Sequence, residues 1–106
     1  MSRAAALEAL LAKGQDNALL RYSLGNEYLN GGAAAAAVTH LKSAVSHDPD
    51  YSAAWKLLGK ANASLGDVPA ARQAWEQGIA AATRKGDKQA EKEMRVFLRR
   101  LDSGDS

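Results

Sequence analysis

Cysteine is absent from the 106-residue chain. That removes disulfide frameworks, thiolate zinc sites and cysteine nucleophiles at once. β-Branched residues are scarce as well: four valines, one isoleucine and two threonines. Sheets draw on β-branched and aromatic side chains, so a sheet-rich fold has almost no material here. No apolar run approaches the ~18 residues that a membrane-crossing helix needs. The opening stretch MSRAAALEALLAKG is interrupted by Glu8 and Lys13, and reads as an amphipathic helix rather than a signal peptide. The expectation is a protein with no membrane segment, located in the cytoplasm.

What fills the chain instead is alanine, 23 residues of it, with 13 leucines. These are the strongest hydrophobic helix formers, so the composition points to an all-α domain whose helices approach closely. The length suits one domain. The net charge of +2 is too small by itself to imply nucleic acid. It is unevenly spread, however: residues 1–50 carry four basic and five acidic side chains, residues 51–106 ten and seven. Seven of the basic residues fall within 84–100, including Lys88, Lys92, Arg95 and Arg99.

Breakers punctuate the chain. Gly14-Gln15-Asp16 suits a helix end followed by an N-cap, and Gly31-Gly32 marks a second break. At His47-Asp48-Pro49-Asp50 the proline stops a helix, and Asp50 or Ser52 can cap the next. Gly66-Asp67, with Pro69 tolerated in a first turn, and Gly86-Asp87 repeat the signal. The spacing predicts helices over about 3–13, 17–30, 33–47, 51–65, 68–84 and 88–101. The short connections make neighbouring helices antiparallel hairpins.

Shifting the sequence by 34 aligns small residues with small and large with large. Leu24-Gly25 falls on Leu58-Gly59, Ala37 on Ala71, Leu41 on Trp75 and Ala44 on Gly78. Glycine inside a helix costs up to about 1 kcal/mol relative to alanine, so its recurrence at Gly25 and Gly59 implies a crowded contact. Trp55, Tyr28, Leu24, Leu58, Leu41 and Trp75 are then expected to fill the core. The second unit reads Trp55-x2-Leu58-Gly59-x2-Asn62 and Ala71-x3-Trp75; the first reads Arg21-x2-Leu24-Gly25-x2-Tyr28 and Ala37-x3-Leu41, closing on Pro49. In these positions the chain resembles the tetratricopeptide repeat. Arg21, Asn62 and Thr83 depart from the usual Trp, Tyr and Pro.

The resemblance implies a short right-handed α-solenoid of antiparallel hairpins. Its parts are an N-terminal half-repeat helix at 3–13, repeat 1 at 18–51, repeat 2 at 52–85, a capping helix at 87–101 and a disordered tail at 102–106. A solenoid needs such caps because its ends otherwise expose apolar faces. It also implies an interaction module, adaptor or scaffold that binds a protein or peptide along a concave groove lined by the first helices of successive repeats. Helical spacing places Tyr22, Asn26 and Asn30 on that face, then Lys56 and Lys60, then Lys88, Lys92, Arg95 and Arg99. Leu19, Ser23 and Leu29 accompany the first set, Ala53, Leu57, Ala63 and Ser64 the second, and Glu91 and Leu98 the third. The excess of cations points to an acidic or extended segment. One subgroup of the family grips chaperone C-terminal carboxylates with a Lys/Asn clamp. Asn26 matches a clamp asparagine, but Tyr22 and Leu57 replace two other clamp residues, and Lys88 and Lys92 align only after a one-residue shift.

Other chemistry finds little support. Gly31-Gly32 lacks the Gly-Lys-Ser/Thr that completes a phosphate loop. His40 and His47 lie two helical turns apart, with no carboxylate spaced to finish a metal site. No nucleophile-elbow pattern occurs. The expectation is therefore no catalytic residue, no metal, no cofactor and no small-molecule substrate. Nucleic acid is disfavoured because only Phe97 interleaves the basic helix, and Phe97 belongs to its apolar stripe. Self-association, as a homodimer through Leu19, Leu29 and Leu98, is the alternative to peptide binding.

Overall fold

A computed structural model describes residues 2–104, and all of the regular structure in them is helical. Six helices follow in order: α1 (Arg3–Ala12), α2 (Ala18–Asn30), α3 (Ala34–His47), α4 (Ser52–Ser64), α5 (Val68–Lys85) and α6 (Lys88–Asp102). The molecule is elongated, 42 × 28 × 19 Å. Adjacent helices pack in sequence, and α4 also touches both α2 and α6.

The breaks fall where the sequence places them, with changes in the capping residues. Asn17, not Asp16, caps α2: its side-chain oxygen accepts from the Leu20 amide at 2.9 Å. Asp16 is drawn away by Arg21 and His47, at 2.7 and 3.1 Å. Tyr51 occupies the cap position of α4 without a side-chain bond. Ser52 donates instead to Asp87 at 3.1 Å, while Asp50 pairs with Arg84 at 2.6 Å. Asp67 and Asp87 cap α5 and α6 by accepting from Ala70 and Ala90. Gly86 stops α5 in the left-handed region, at φ 71°, which glycine enters without a Cβ penalty. Helix α6 extends through Asp102, one residue into the stretch expected as a tail. Asp105 and Ser106 lie outside the described residues.

The two hairpins α2–α3 and α4–α5 share one internal geometry. A Cβ placed on Gly25 would strike the Leu41 side chain, and one on Gly59 would strike the Trp75 ring. Gly78 is closed in the same way by Met94 and Trp55. The three helical glycines are therefore points where a neighbouring side chain fills the volume of the missing Cβ. Ala37, Ala44 and Ala71 are fully enclosed. One core cluster joins Leu41, Ala44, Ala54 and Leu58; a second joins Ala71, Trp75, Ala82 and Met94. Trp55 differs from expectation. It is only half-buried, leaning on the first cluster and donating its indole N–H to the Pro49 carbonyl at 2.8 Å.

Candidate partner-binding groove

Helices α2, α4 and α6 lie side by side, and α3 and α5 cover one side of the layer they form. The opposite side is left open between Leu29 and Asn30 of α2, Leu57 and Lys60 of α4, and Phe97 of α6, forming a cleft of ≈ 500 Å³. Asn30 and Lys60 thus come together as the spacing implied. Tyr22 lies further toward the start of α2, its ring centroid 5.0 Å from that of Tyr51. Burial, then the neighbouring Tyr22 and Asp48, push the Tyr51 phenol pKa up. Asn26, half-buried, stands one helical turn between Tyr22 and Asn30.

The two lysines of α4 have distinct surroundings. Lys56 donates to Glu93 at 3.1 Å, so its charge is matched within the groove. The Lys60 ammonium sits 5.2 Å from the centroid of the Phe97 ring, held there by the ring quadrupole. The floor beneath is fixed. The Trp75 indole donates to the Lys56 carbonyl at 3.1 Å, and its ring lies 5.2 Å from that of Phe97. Trp75 and Phe97, expected as core alone, therefore also line the open face.

Helix α6 buries the apolar stripe that its spacing suggests, but the side it turns to the groove is not the one expected. Its buried stripe is Ala90 and Met94, flanked by Phe97 and Leu101. That packing turns Glu93 and Phe97 toward α4 and Arg100 toward the end of the cleft, with Gln89, Lys92 and Val96 beside them on α6. Glu91 turns to α5 instead, accepting from Thr83 and from Arg95 at 3.2 Å each; Arg95 and then Thr83 hold its carboxyl below its ordinary pKa. Arg95 goes with it, and the 100° advance per residue carries Lys88 and Arg99 to the outer face. The physical reason is packing. Met94 against Gly78 and Phe97 against Trp75 set the rotation of α6, and the repeat period does not. Leu19, Leu29 and Leu98 are likewise dispersed: Leu19 is 65% exposed, Leu29 lines the cleft, and Leu98 packs on the second cluster.

A polar network at the other end was not foreseen. Arg21 donates to Asp16 and to Nδ1 of His40, the latter at 3.1 Å. The His40 ring stacks on Tyr28 at 5.4 Å and meets Glu8 of α1 at 3.2 Å. Tyr28 also donates to Glu8, at 3.1 Å. Burial, then Glu8, raise the Tyr28 phenol pKa. A signal was present in the repeat: Arg21 and His40 stand 34 residues before Trp55 and Ala74, so a polar pair replaces a large–small apolar pair. Among the described residues, no group of three or more His, Asp or Glu could hold a metal ion, and no helix is long and apolar enough to cross a membrane.

The relationships of the chain agree with this geometry. The tetratricopeptide repeat family model matches residues 22–87. TPR repeat-containing protein PA0015 of Pseudomonas aeruginosa is 64% identical over 96 residues, covering 91% of each chain. The solution structure of protein BPP2914 from Bordetella parapertussis is 50% identical, with a TM-score of 0.85 over 99% of this chain and 91% of its own. With the same small-residue contacts recurring 34 residues apart in two hairpins, the chain belongs to the tetratricopeptide repeat family.

Proposed function

We propose that the open face of α2, α4 and α6 binds an extended segment of a protein partner and prefers acidic sequence. Tetratricopeptide repeats are in general protein-interaction modules, and the family is typically non-catalytic. The observation that carries the finer reading is Lys60. Its ammonium is held over Phe97 at the edge of an apolar cleft, with no carboxylate paired to it among the described residues. A partner carboxylate can meet that charge while its neighbours cover Leu57 and Phe97. The basic contribution is smaller than the sequence implied, because Glu93 matches Lys56 and Arg95 faces α5.

Titrating labelled acidic and basic peptides at low and high salt tests the proposal. The acidic peptide is expected to bind more tightly, to weaken as salt screens the contact, and to lose its advantage on Lys60→Glu. Equal binding of both peptides, or binding indifferent to salt and to Lys60→Glu, would rule it out.

A further inference from the structure

The cleft continues past its α4 end into a second hollow of ≈ 540 Å³. The two share Ala63, Ser64, Trp75 and Phe97, so they form one path along the molecule. The second hollow lies between the α4–α5 turn and the end of α6, walled by Val68, Trp75, Phe97 and Leu101. Its size falls within the range of small-ligand sites, roughly 300–1,000 Å³. Val68 in its wall is 43% exposed, and Leu65, in the same α4–α5 turn, is 51% exposed.

Among the described residues, the charges lining it and its junction with the cleft share one sign. Arg100 lines the hollow, and Lys60 stands over Phe97 at the junction with the cleft. Neither forms an ion pair among the described residues. The nearby carboxylates are engaged elsewhere: Asp67 caps α5 through the Ala70 amide, Asp102 pairs with Arg72, and Glu93 pairs with Lys56. The walls are also in place before anything binds. Trp75 is tied to the Lys56 carbonyl and braced by Phe97, so little ordering cost is left for a ligand.

We infer that this hollow is a side-chain slot. It takes one large apolar residue of the partner segment, with a carboxylate next to that residue meeting Arg100 or Lys60. The inference rests on the groove reading above and specifies the segment: extended, acidic and carrying an apolar anchor. The slot opens into the groove rather than closing around a solute, which fits a side chain on a through-running chain. Once the anchor is seated, its position fixes the register of the segment.

The test uses the full chain and three labelled peptides: one acidic with a single central phenylalanine, one with that residue changed to serine, and one with the acids changed to lysine. Binding is read by anisotropy, and the site by amide shifts of Val68, Phe97 and Leu101. The first peptide should bind best and move those three resonances. Either peptide change, or Arg100→Glu, should weaken binding about tenfold, the loss expected for one good contact. Val68→Asp should do the same; the new carboxylate sits at a helix start, where negative charge is tolerated, so unfolding is not the cause. If the phenylalanine and serine peptides bind equally, or Val68→Asp has no effect, the slot is overturned while the groove stands. If no acidic peptide binds and Lys60→Glu changes nothing, the groove reading fails with it. Shifts at Val68 that grow with protein concentration alone would assign the hollow to a second copy and overturn the inference.

Discussion

The two ends of the array are closed by different means. Helix α1 has no buried residue. Leu7, Leu10 and Leu11 are half-buried, and its polar ties run from Arg3 to Glu27 at 2.9 Å and from Glu8 to Tyr28 and His40 at 3.1 and 3.2 Å. Helix α6 buries Ala90 and Met94 and lays Phe97 against Trp75. Exposed ion pairs contribute about 0–1 kcal/mol each, whereas burying one Met-sized side chain contributes roughly 1.5–3 kcal/mol. The C-terminal closure is therefore the stronger. It is also where Lys60, Trp75 and Phe97 shape the groove, so the candidate site lies in the better-packed half. An end helix can close a repeat array with polar ties over half-buried leucines, as α1 does, or with enclosed side chains, as α6 does, and the second gives the firmer wall to bind against.

The largest effect should come from the side chain that joins this closure to the repeat. Trp75→Ala is expected to cost roughly 3–5 kcal/mol, through lost burial and the void left against Gly59. Trp55→Ala should cost clearly less, because Trp55 is half-buried and nearer the surface. Denaturant midpoints for the two variants decide this, against a typical total stability of about 5–15 kcal/mol. Equal losses would mean that Trp55 is packed as tightly as Trp75, against the difference in their burial. Next in size is the comparison of the ends themselves. Met94→Ala removes a fully enclosed side chain and is expected to cost about 2–5 kcal/mol, while Leu10→Ala on α1 should cost about 1 kcal/mol or less. A Leu10 variant as damaging as the Met94 variant would erase the asymmetry.

These contrasts also mark where the sequence was legible. The helices, their breaks and the glycine contacts could be read because each depends on local propensity or on a residue recurring after 34 positions. Gly25 with Leu41 and Gly59 with Trp75 recur, and the structure places both pairs in contact. The apolar stripe of α6, Ala90, Met94, Phe97 and Leu101, could be read from its spacing, but the flank that meets the groove could not. No second α6-like helix supplies a period, and its rotation is decided by Met94 meeting Gly78 and Phe97 meeting Trp75 across helices. Charge spacing alone therefore put Lys88, Arg95 and Arg99 in the groove, where the packing puts Glu93 and Phe97, with Arg100 at its far end. The half-buried state of Trp55 was hidden for a similar reason: its motif position marks it as a packing residue but does not say how much of the ring the preceding hairpin covers. At the N-terminal end, Arg21 was visible as a departure from the repeat, but its partners Asp16 and His40 are separated from it by 5 and 19 positions.

The smallest effect tests whether charge really holds that N-terminal end. Asp16 accepts from Arg21 at 2.7 and 3.0 Å and is approached by His47 at 3.1 Å. The Arg21 hydrogen bonds, and then His47, lower its pKa from 3.8 to about 2. Because the folded-state value is the lower one, the unfolded chain takes up the proton first as acid is added. The carboxylate's contribution is therefore fully present above about pH 4 and is lost as the pH falls through about 2. Asp16→Asn keeps a hydrogen-bond acceptor for Arg21 but has no charge to titrate. The thermal midpoint of the wild-type chain should exceed that of the variant at neutral pH, and the gap should close between about pH 4 and pH 2. High salt should shrink the gap, since the group is solvent-exposed. A gap that persists unchanged through that acid range would show that Asp16 acts by shape and hydrogen bonding alone, and that the polar closure owes nothing to its charge.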